Sequence, residues 1–378
     1  MNKKILQPEF ASVQGVFDQN LESGADLGAS FCATRNGETV VDIWGGFADK
    51  DQTIPWSRDT IVNVYSTTKT MTALTALLLA DRGALDFDKP VAHYWPEFAA
   101  AGKADVKVSH LMSHSSGLSG WREPMSADDL YDWEKATSLL AAQAPYWEPG
   151  TAPGYHAVTQ GYLVGEVIRR VAGKTVGTVF REEFAQPLGA DFHIGLAASE
   201  DHRVAELIPP PRGGAIGEGT TSDLIVNMAS NPGINVHATR TREWRGAEIP
   251  AAGGTGNARS VAEIHTIMAN GGMGRDGRRY LTEAGVRRAL ELQIAGTDMI
   301  LGNPVRYGMG FGLNGGAVPL PSDESIYWGG YGGSLIVIDM KARTTFSYVM
   351  NKMASTTAGD TRGFGLLMAM WTVLGAQA

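Results

Sequence analysis

One cysteine, Cys32, is all that 378 residues provide. An internal disulfide is therefore excluded, and so is a metal site built on thiolates. Positive charge is also sparse: 32 Lys plus Arg stand against 40 Asp plus Glu, for a net charge of −8. No basic run exceeds a pair such as Arg169-Arg170, whereas a nucleic-acid or anionic-membrane binder needs a basic patch. No uninterrupted apolar run approaches the roughly 20 residues that cross a bilayer. The opening Met1-Asn2-Lys3-Lys4 imitates the basic start of a signal peptide, but Ile5-Leu6-Gln7-Pro8-Glu9 breaks off before an apolar stretch develops. The expectation is a cytoplasmic protein with no membrane span. What the chain does hold is core material. It is 43% hydrophobic and only 19% charged, which excludes a disordered polyelectrolyte. Its length suits two domains at about 150 residues each.

Phe10, Val13, Phe17 and Leu21 fall on one stripe of a helix from Pro8 that stops at Gly24. Two β-patterned runs, Ala29 to Arg35 and Glu38 to Trp44, flank Asn36-Gly37, a dipeptide suited to a type I′ hairpin turn. A short β-rich approach, Ile61 to Tyr65, leads to Ser66 and then to an Ala-, Leu- and Met-rich helix ending before Gly83. From Ala84 to Glu206 strand signal is scarce. Helical segments dominate there, at Met125 to Ala144, His156 to Val171 and Val176 to Phe184. A Pro/Gly-rich crossing runs from Ile208 to Gly219. Ser260 to Glu263 has the form of a capping box opening a helix. Alternating strands return at Ser334 to Met340 and Thr345 to Asn351, and an apolar helix follows from Arg362 to Leu374. The expected architecture is one α/β (α+β) domain, residues 1–80 and 207–378, with an all-helical insertion, 81–206, and a cleft between them.

Several familiar motifs fail on inspection. Gly310 to Gly315 satisfies G-x-G-x-x-G, but Pro319 and Pro321 follow where a dinucleotide site needs a helix. Gly173-Lys174-Thr175 ends like a P-loop, yet Ile168 stands where its first glycine belongs. His110 and His114 are four apart without the glutamate of a zinc protease, and read as structural histidines. There is no G-x-S-x-G.

Three segments carry chemistry. Ser66-Thr67-Thr68-Lys69 is the chain's only S-x-x-K, and it opens a buried helix, so Lys69 lies one turn on and on the same side as Ser66. Burial lowers a lysine pKa and lets the amine take the serine proton, while the helix start favours negative charge there. The same residues also fit an N-cap serine beside an exposed lysine. Pro149-Gly150-Thr151-Ala152-Pro153-Gly154 holds Tyr155 at a helix start, either aimed into a cleft as a proton relay or packed against its own loop. Tyr327 to Ser334 places four glycines at the start of a strand, either as an oxyanion-binding edge or as a plain hairpin turn.

In this order and spacing the segments resemble the serine β-lactamase and penicillin-binding-protein superfamily, within it the class C-like branch that includes the family VIII carboxylesterases. Leu111 to Leu118 is similar to the family's L-L-x-H-T-S-G-L stretch, and the likeness runs from Ala29 to Tyr348. The resemblance implies that Ser66 is the nucleophile, Lys69 its proton acceptor and Tyr155 the second member of the relay. It also implies an oxyanion hole from the N–H groups of Ser66 and Tyr331, with Trp328 and Gly330 lining the substrate strand. Trp328 replaces the lysine of the family's K-T-G box, and Tyr155-His156-Ala157 lacks the amide of its Y-x-N box. Ser222-Asp223-Leu224 does not supply the S-D-N arrangement of class A enzymes. These departures favour an apolar cleft. The expected activity is hydrolysis of short-chain acyl esters, with weak β-lactamase side activity, no cofactor and no metal. Trp121 and His156 are candidate cleft residues; Tyr131 and Trp133 are further candidates, each also readable as a surface aromatic. The rival readings are an amide or peptide hydrolase of the same family, an acyltransferase, and a non-catalytic scaffold. Oligomeric state is not written in the motifs.

Overall fold

A computed structural model describes residues 4–210 and 222–376. Its strands are β1 (Ile5–Leu6), β2 (Gly28–Arg35), β3 (Glu38–Gly46), β4 (Val62–Asn63), β5 (Phe192–His193) and β6 (Thr255–Gly256). They continue with β7 (Ile294–Thr297), β8 (Pro304–Tyr307), β9 (Gly312–Leu313), β10 (Ser325–Gly329), β11 (Leu335–Asp339) and β12 (Thr344–Met350). Nine of them form an antiparallel sheet in the order β1-β3-β2-β12-β11-β10-β9-β8-β7, while β4-β6-β5 form a small second sheet. Asn36 and Gly37 turn the β2–β3 hairpin with φ of 52° and 85°, the left-handed pair that a type I′ turn requires.

The centre of the large sheet is covered on both sides. β11 and β12 are buried at every position, which a one-sided sheet with alternating exposure does not allow. The helix Ala258–Ile264 packs against β2 and β12, and the helices Ala11–Glu22 and Thr361–Ala376 pack on each other. The stretch 81–206 contributes no strand to the large sheet. It is not all-helical, however. Phe192–His193 pairs with Thr255–Gly256 across the chain, a two-residue strand too short to leave a periodic signal.

A second correction concerns the helix expected to open at Ser260. It begins at Ala258, and the capping residue is Asn257, whose side chain accepts the Ser260 N–H at 2.9 Å while Ser260 Oγ accepts the Asn257 N–H at 3.1 Å. Asn is as good a cap as Ser, and here it has the reciprocal partner three residues on. The crossing expected from Ile208 to Gly219 lies, from 211 onward, outside the described residues. Gly310 to Gly315 contains β9, and the next element is the strand β10, not a helix. Among the described residues no helix is long and apolar enough to cross a membrane.

Candidate active site

β4 delivers the chain to a single 3₁₀ turn, Tyr65–Thr67, and the α-helix Thr68–Asp81 follows. Tyr65 takes φ of +43°, a left-handed conformation that costs an aromatic residue about 1–3 kcal/mol and persists only where surroundings enforce it. Enforcement comes from both sides. Asn63 accepts the Tyr65 N–H at 3.2 Å and donates to Ala252 O and Gly254 O. Ser334 Oγ lies 3.0 Å from Thr67 Oγ1 and donates to Val64 O at 2.9 Å. The hydrogen bonds of the turn run from Thr67 N–H to Val64 O and from Thr68 N–H to Tyr65 O, so the turn does not use the Ser66 N–H.

Lys69 is fully buried, which removes the exposed-lysine alternative. Its Nζ lies 3.0 Å from Ser66 Oγ, 3.2 Å from Tyr155 Oη, 2.7 Å from Ala157 O and 3.0 Å from Ala251 O. No carboxylate pairs with it among the described residues, and burial pushes its pKa well below the ordinary lysine range.

Tyr155 reaches across from the other side, its hydroxyl donating to Ser66 Oγ at 2.6 Å. Burial raises its phenol above the usual tyrosine range, and the Asp298 carboxylate adds in the same direction. The preceding loop needs its glycines: at Gly154 a Cβ would come within 2.5 Å of the Trp147 indole, and Gly150 sits at φ of +83°.

His156 lies behind Tyr155 and does not line the cleft. Its Nε2 accepts the Leu118 N–H at 3.1 Å and stands 2.8 Å from Ser116 Oγ, and its Nδ1 is left to donate to Gly154 O at 2.5 Å. Burial holds its pKa down to about 3, so it is a neutral tie between two loops. The expectation that it lines the cleft is corrected on this ground: all its polar atoms are committed to the loops.

The glycine-rich turn stands beside Ser66. At Gly330 a Cβ would fall 2.1 Å from Val64 O, so only glycine admits this approach. Within the turn the N–H groups of Gly330, Gly332 and Gly333 go to Ser334 O, Thr356 O and Gly330 O. Among the described residues that leaves the Tyr331 N–H outside the turn's own bonds. Arg362 donates to Gly332 O at 2.9 Å and braces the turn from the last helix. Trp328 is buried and stacks on His114 with ring centroids 5.2 Å apart.

A cavity of about 190 Å³ opens at Ser66, walled by Tyr65, Trp121, Tyr155, Met228 and Tyr331 among others. Among the described residues no lining side chain is charged. Trp121 belongs to this cavity, whereas Tyr131 and Trp133 line a separate one with Glu248. Trp328 lines a third cavity, of about 40 Å³, on the far side of Tyr155 with Asn303 and Tyr307. His114, read as a structural histidine, is one: it is buried and its Nδ1 accepts the His156 N–H at 3.1 Å. Sequence reading missed the wall from Met228 to Ile234 and the buried Asp298, which nothing local marked.

A protein-family model described as Beta-lactamase matches residues 13–367. The esterase/beta-lactamase LipL of Mycobacterium tuberculosis is 34% identical over 369 residues, covering 92% of this chain and 82% of its own. The crystal structure of a family VIII carboxylesterase superposes with a TM-score of 0.93 at 43% identity, covering 98% of this chain and 99% of that one. A penicillin-binding-protein homologue from Caulobacter crescentus gives 0.92 at 38% identity, with 98% and 99% covered.

Proposed function

This chain belongs to the beta-lactamase family of serine hydrolases, and from that premise we propose that it cleaves short-chain acyl esters through an acyl-Ser66 intermediate. One observation carries the reading, the set of atoms around Lys69 Nζ. A neutral amine has two N–H groups and one lone pair. The carbonyls of Ala157 and Ala251 take the two N–H groups, and the lone pair then faces Ser66 Oγ at 3.0 Å. With no carboxylate among the described residues to stabilise an ammonium ion there, burial favours the form that accepts a proton.

In the proposed reaction Lys69 takes the Ser66 hydroxyl proton as Oγ attacks the ester carbonyl carbon. The N–H groups of Ser66 and Tyr331 receive the resulting oxyanion, an interaction for which one donor is typically worth about 2.7–4 kcal/mol in the transition state. As the tetrahedral intermediate collapses, the C–O bond to the alcohol breaks and Tyr155 gives its proton to the leaving oxygen. Lys69, 3.2 Å from the phenol, returns the proton it took. Water then enters by the same relay, releasing the acid and restoring Ser66. The reaction needs no cofactor. The cleft lies between the sheet-bearing part and the 81–206 insertion, which supplies Trp121 and Tyr155 to its wall.

Ester preference is supported by the cavity, whose described lining residues carry no charge to offer a substrate carboxylate, and by Trp328 where a lysine would supply a cation. A weaker β-lactam hydrolysis is a second reading, favoured by the double name of the M. tuberculosis relative. The deciding experiment pulses the protein with p-nitrophenyl butyrate and follows the intact mass and the acylated peptide. A butyryl adduct at Ser66 that is absent from Ser66→Ala is the expected result. An inert protein with no adduct from the ester or from a fluorophosphonate overturns it, and equal rates on nitrocefin and the butyrate ester overturn the ester preference.

A further inference from the structure

Behind Tyr155, in the bend joining β7 to β8, Asp298 is completely buried. Its Oδ1 accepts the N–H groups of Tyr155 at 3.0 Å, Ile300 at 2.8 Å and Leu301 at 2.9 Å. Its Oδ2 accepts the Tyr307 hydroxyl at 3.1 Å. The connection to the tyrosine loop is doubled, because Met299 N–H donates to Pro153 O at 2.9 Å. Every one of these donors is neutral, and among the described residues no Lys, Arg or His forms an ion pair with the carboxylate. A buried carboxylate placed without a cation and used wholly as an acceptor is an expensive way to hold a loop. Its position accounts for it.

The opposite flank of the same residue is held by His114. The imidazole Nδ1 accepts the His156 N–H at 3.1 Å, and the His114 carbonyl accepts the Gly154 N–H at 2.9 Å. The main chain on both sides of Tyr155 is thus tied to two buried side chains from distant segments, while the phenol itself meets Ser66 and Lys69. Of the ionisable groups that face the phenol (Lys69, His114, Tyr307 and Asp298) only Asp298 brings a negative charge. A negative charge behind a phenol opposes its ionisation, so the proton stays on Tyr155 until the leaving alkoxide calls for it.

We infer that Asp298 is a positioning residue: its carboxylate fixes the chain at Tyr155 and keeps the phenol set as the proton donor to the departing alcohol. This rests on the acyl-Ser66 reading. It makes a distinctive demand, because an alkyl alcohol leaves only with a proton whereas p-nitrophenolate leaves without one. Loss of the Tyr155 proton donor therefore penalises alkyl esters selectively.

The test compares kcat/KM, which reports the steps through acylation, for ethyl butyrate and p-nitrophenyl butyrate in wild type, Asp298→Asn, Asp298→Ala and Tyr155→Phe. Thermal unfolding of each is followed by circular dichroism. Asn keeps the size and one acceptor while removing the charge; Ala removes both. For ethyl butyrate the expected losses are about 10-fold in Asp298→Asn and about 100-fold in Asp298→Ala, the latter at the low end of a general-acid contribution. For p-nitrophenyl butyrate both stay within about threefold in the folded protein. Equal losses on the two esters, or a loss that only tracks the unfolded fraction, overturn the inference. Tyr155→Phe separates the two levels: if it too lacks leaving-group dependence, the parent mechanism fails, whereas if it shows that dependence and the Asp298 variants do not, only the inference fails.

Discussion

Tyr155 Oη stands 2.6 Å from Ser66 Oγ, closer than Lys69 Nζ at 3.0 Å, so the serine oxygen is held between two proton carriers whose burial acts in opposite senses. Burial disfavours the charged form of each, lowering the pKa of the amine and raising that of the phenol. The division of labour yields an ordering of variants. Ser66→Ala is expected to abolish acylation. Lys69→Ala is expected to cost at least as much as Tyr155→Phe, both within about 10²–10⁴-fold. Initial rates on ethyl butyrate, whose alkoxide needs the Tyr155 proton, check this, and a Lys69→Ala enzyme faster than Tyr155→Phe contradicts the assignment of the base.

The pH dependence follows from the same lysine. Its lowered pKa means the amine is neutral, and able to accept the Ser66 proton, well below the pH at which an exposed lysine would be. Falling pH protonates it, so kcat/KM is expected to drop on the acid side with the slope of a single proton. A profile of kcat/KM from pH 5 to 10 tests the sign: activity rising only near the ordinary lysine value, about 10.4, is the contrary outcome.

Substrate charge should matter more than substrate size. Among the described residues the cavity at Ser66 has no charged lining, so a carboxylate carried in on the acyl group loses its water with nothing there in return. The monosuccinate ester of p-nitrophenol is expected to fall at least about 100-fold below the butyrate in kcat/KM, given the cost of desolvating an unpaired charge. Comparable values for the two would show that a cation reaches the cleft.

Arg362 joins the last helix to the glycine-rich turn beside Ser66. It pairs with Asp26 at 2.9 Å and Asp360 at 2.6 Å while donating to Gly332 O and Lys352 O. Arg362→Met leaves Asp26 buried against Tyr348 without its cation, and breaking such a pair typically costs about 3–5 kcal/mol. Urea unfolding should register that loss, and kcat should fall with KM little changed as Gly332 loses its brace.

Three histidines make the fold sensitive to acid. Burial pushes His156 down to about 3 and His265 to about 4, and holds His114 well below the usual value. Unfolding restores a pKa of about 6.5, so each contributes stability that is complete above that pH and is lost as pH falls toward the folded value, at roughly 1.4 kcal/mol per pH unit per group. The urea midpoint should therefore decline from pH 6.5 to 4. His156→Gln is expected to flatten that decline by one proton's share.

What the sequence made legible was whatever announced itself locally. Asn36-Gly37 marks its hairpin, S-x-x-K marks the helix start at Ser66, and the Pro/Gly loop marks Tyr155. Each is a short-range signal that needs no knowledge of a distant partner. Asp298 had no such mark, because its meaning lies in a hydrogen bond to a residue 143 positions away. The cleft wall from Met228 to Ile234 was unread for the same reason. β7 escaped because it is a largely exposed edge strand containing Gly296, so its burial shows no alternation. The helix at Ala258 was misplaced because Ser260 and Glu263 imitate a capping box, while the pairing actually made is between Asn257 and Ser260.

The pairing of β2 with β12 also sets the order in which this protein can come into being. Those neighbours include Gly28, whose N–H bonds to the Asn351 side chain 323 residues further on. A ribosome must therefore release the segment from Thr344 to Met350 before the middle of the sheet can close. The helix that follows Ser66 is made early and waits with an apolar surface uncovered, and the turn that stands beside Ser66 arrives only with the final strands. Such long-range closure is slow and exposes the nascent chain to aggregation. Hydrolytic competence is then the last property the folding chain acquires.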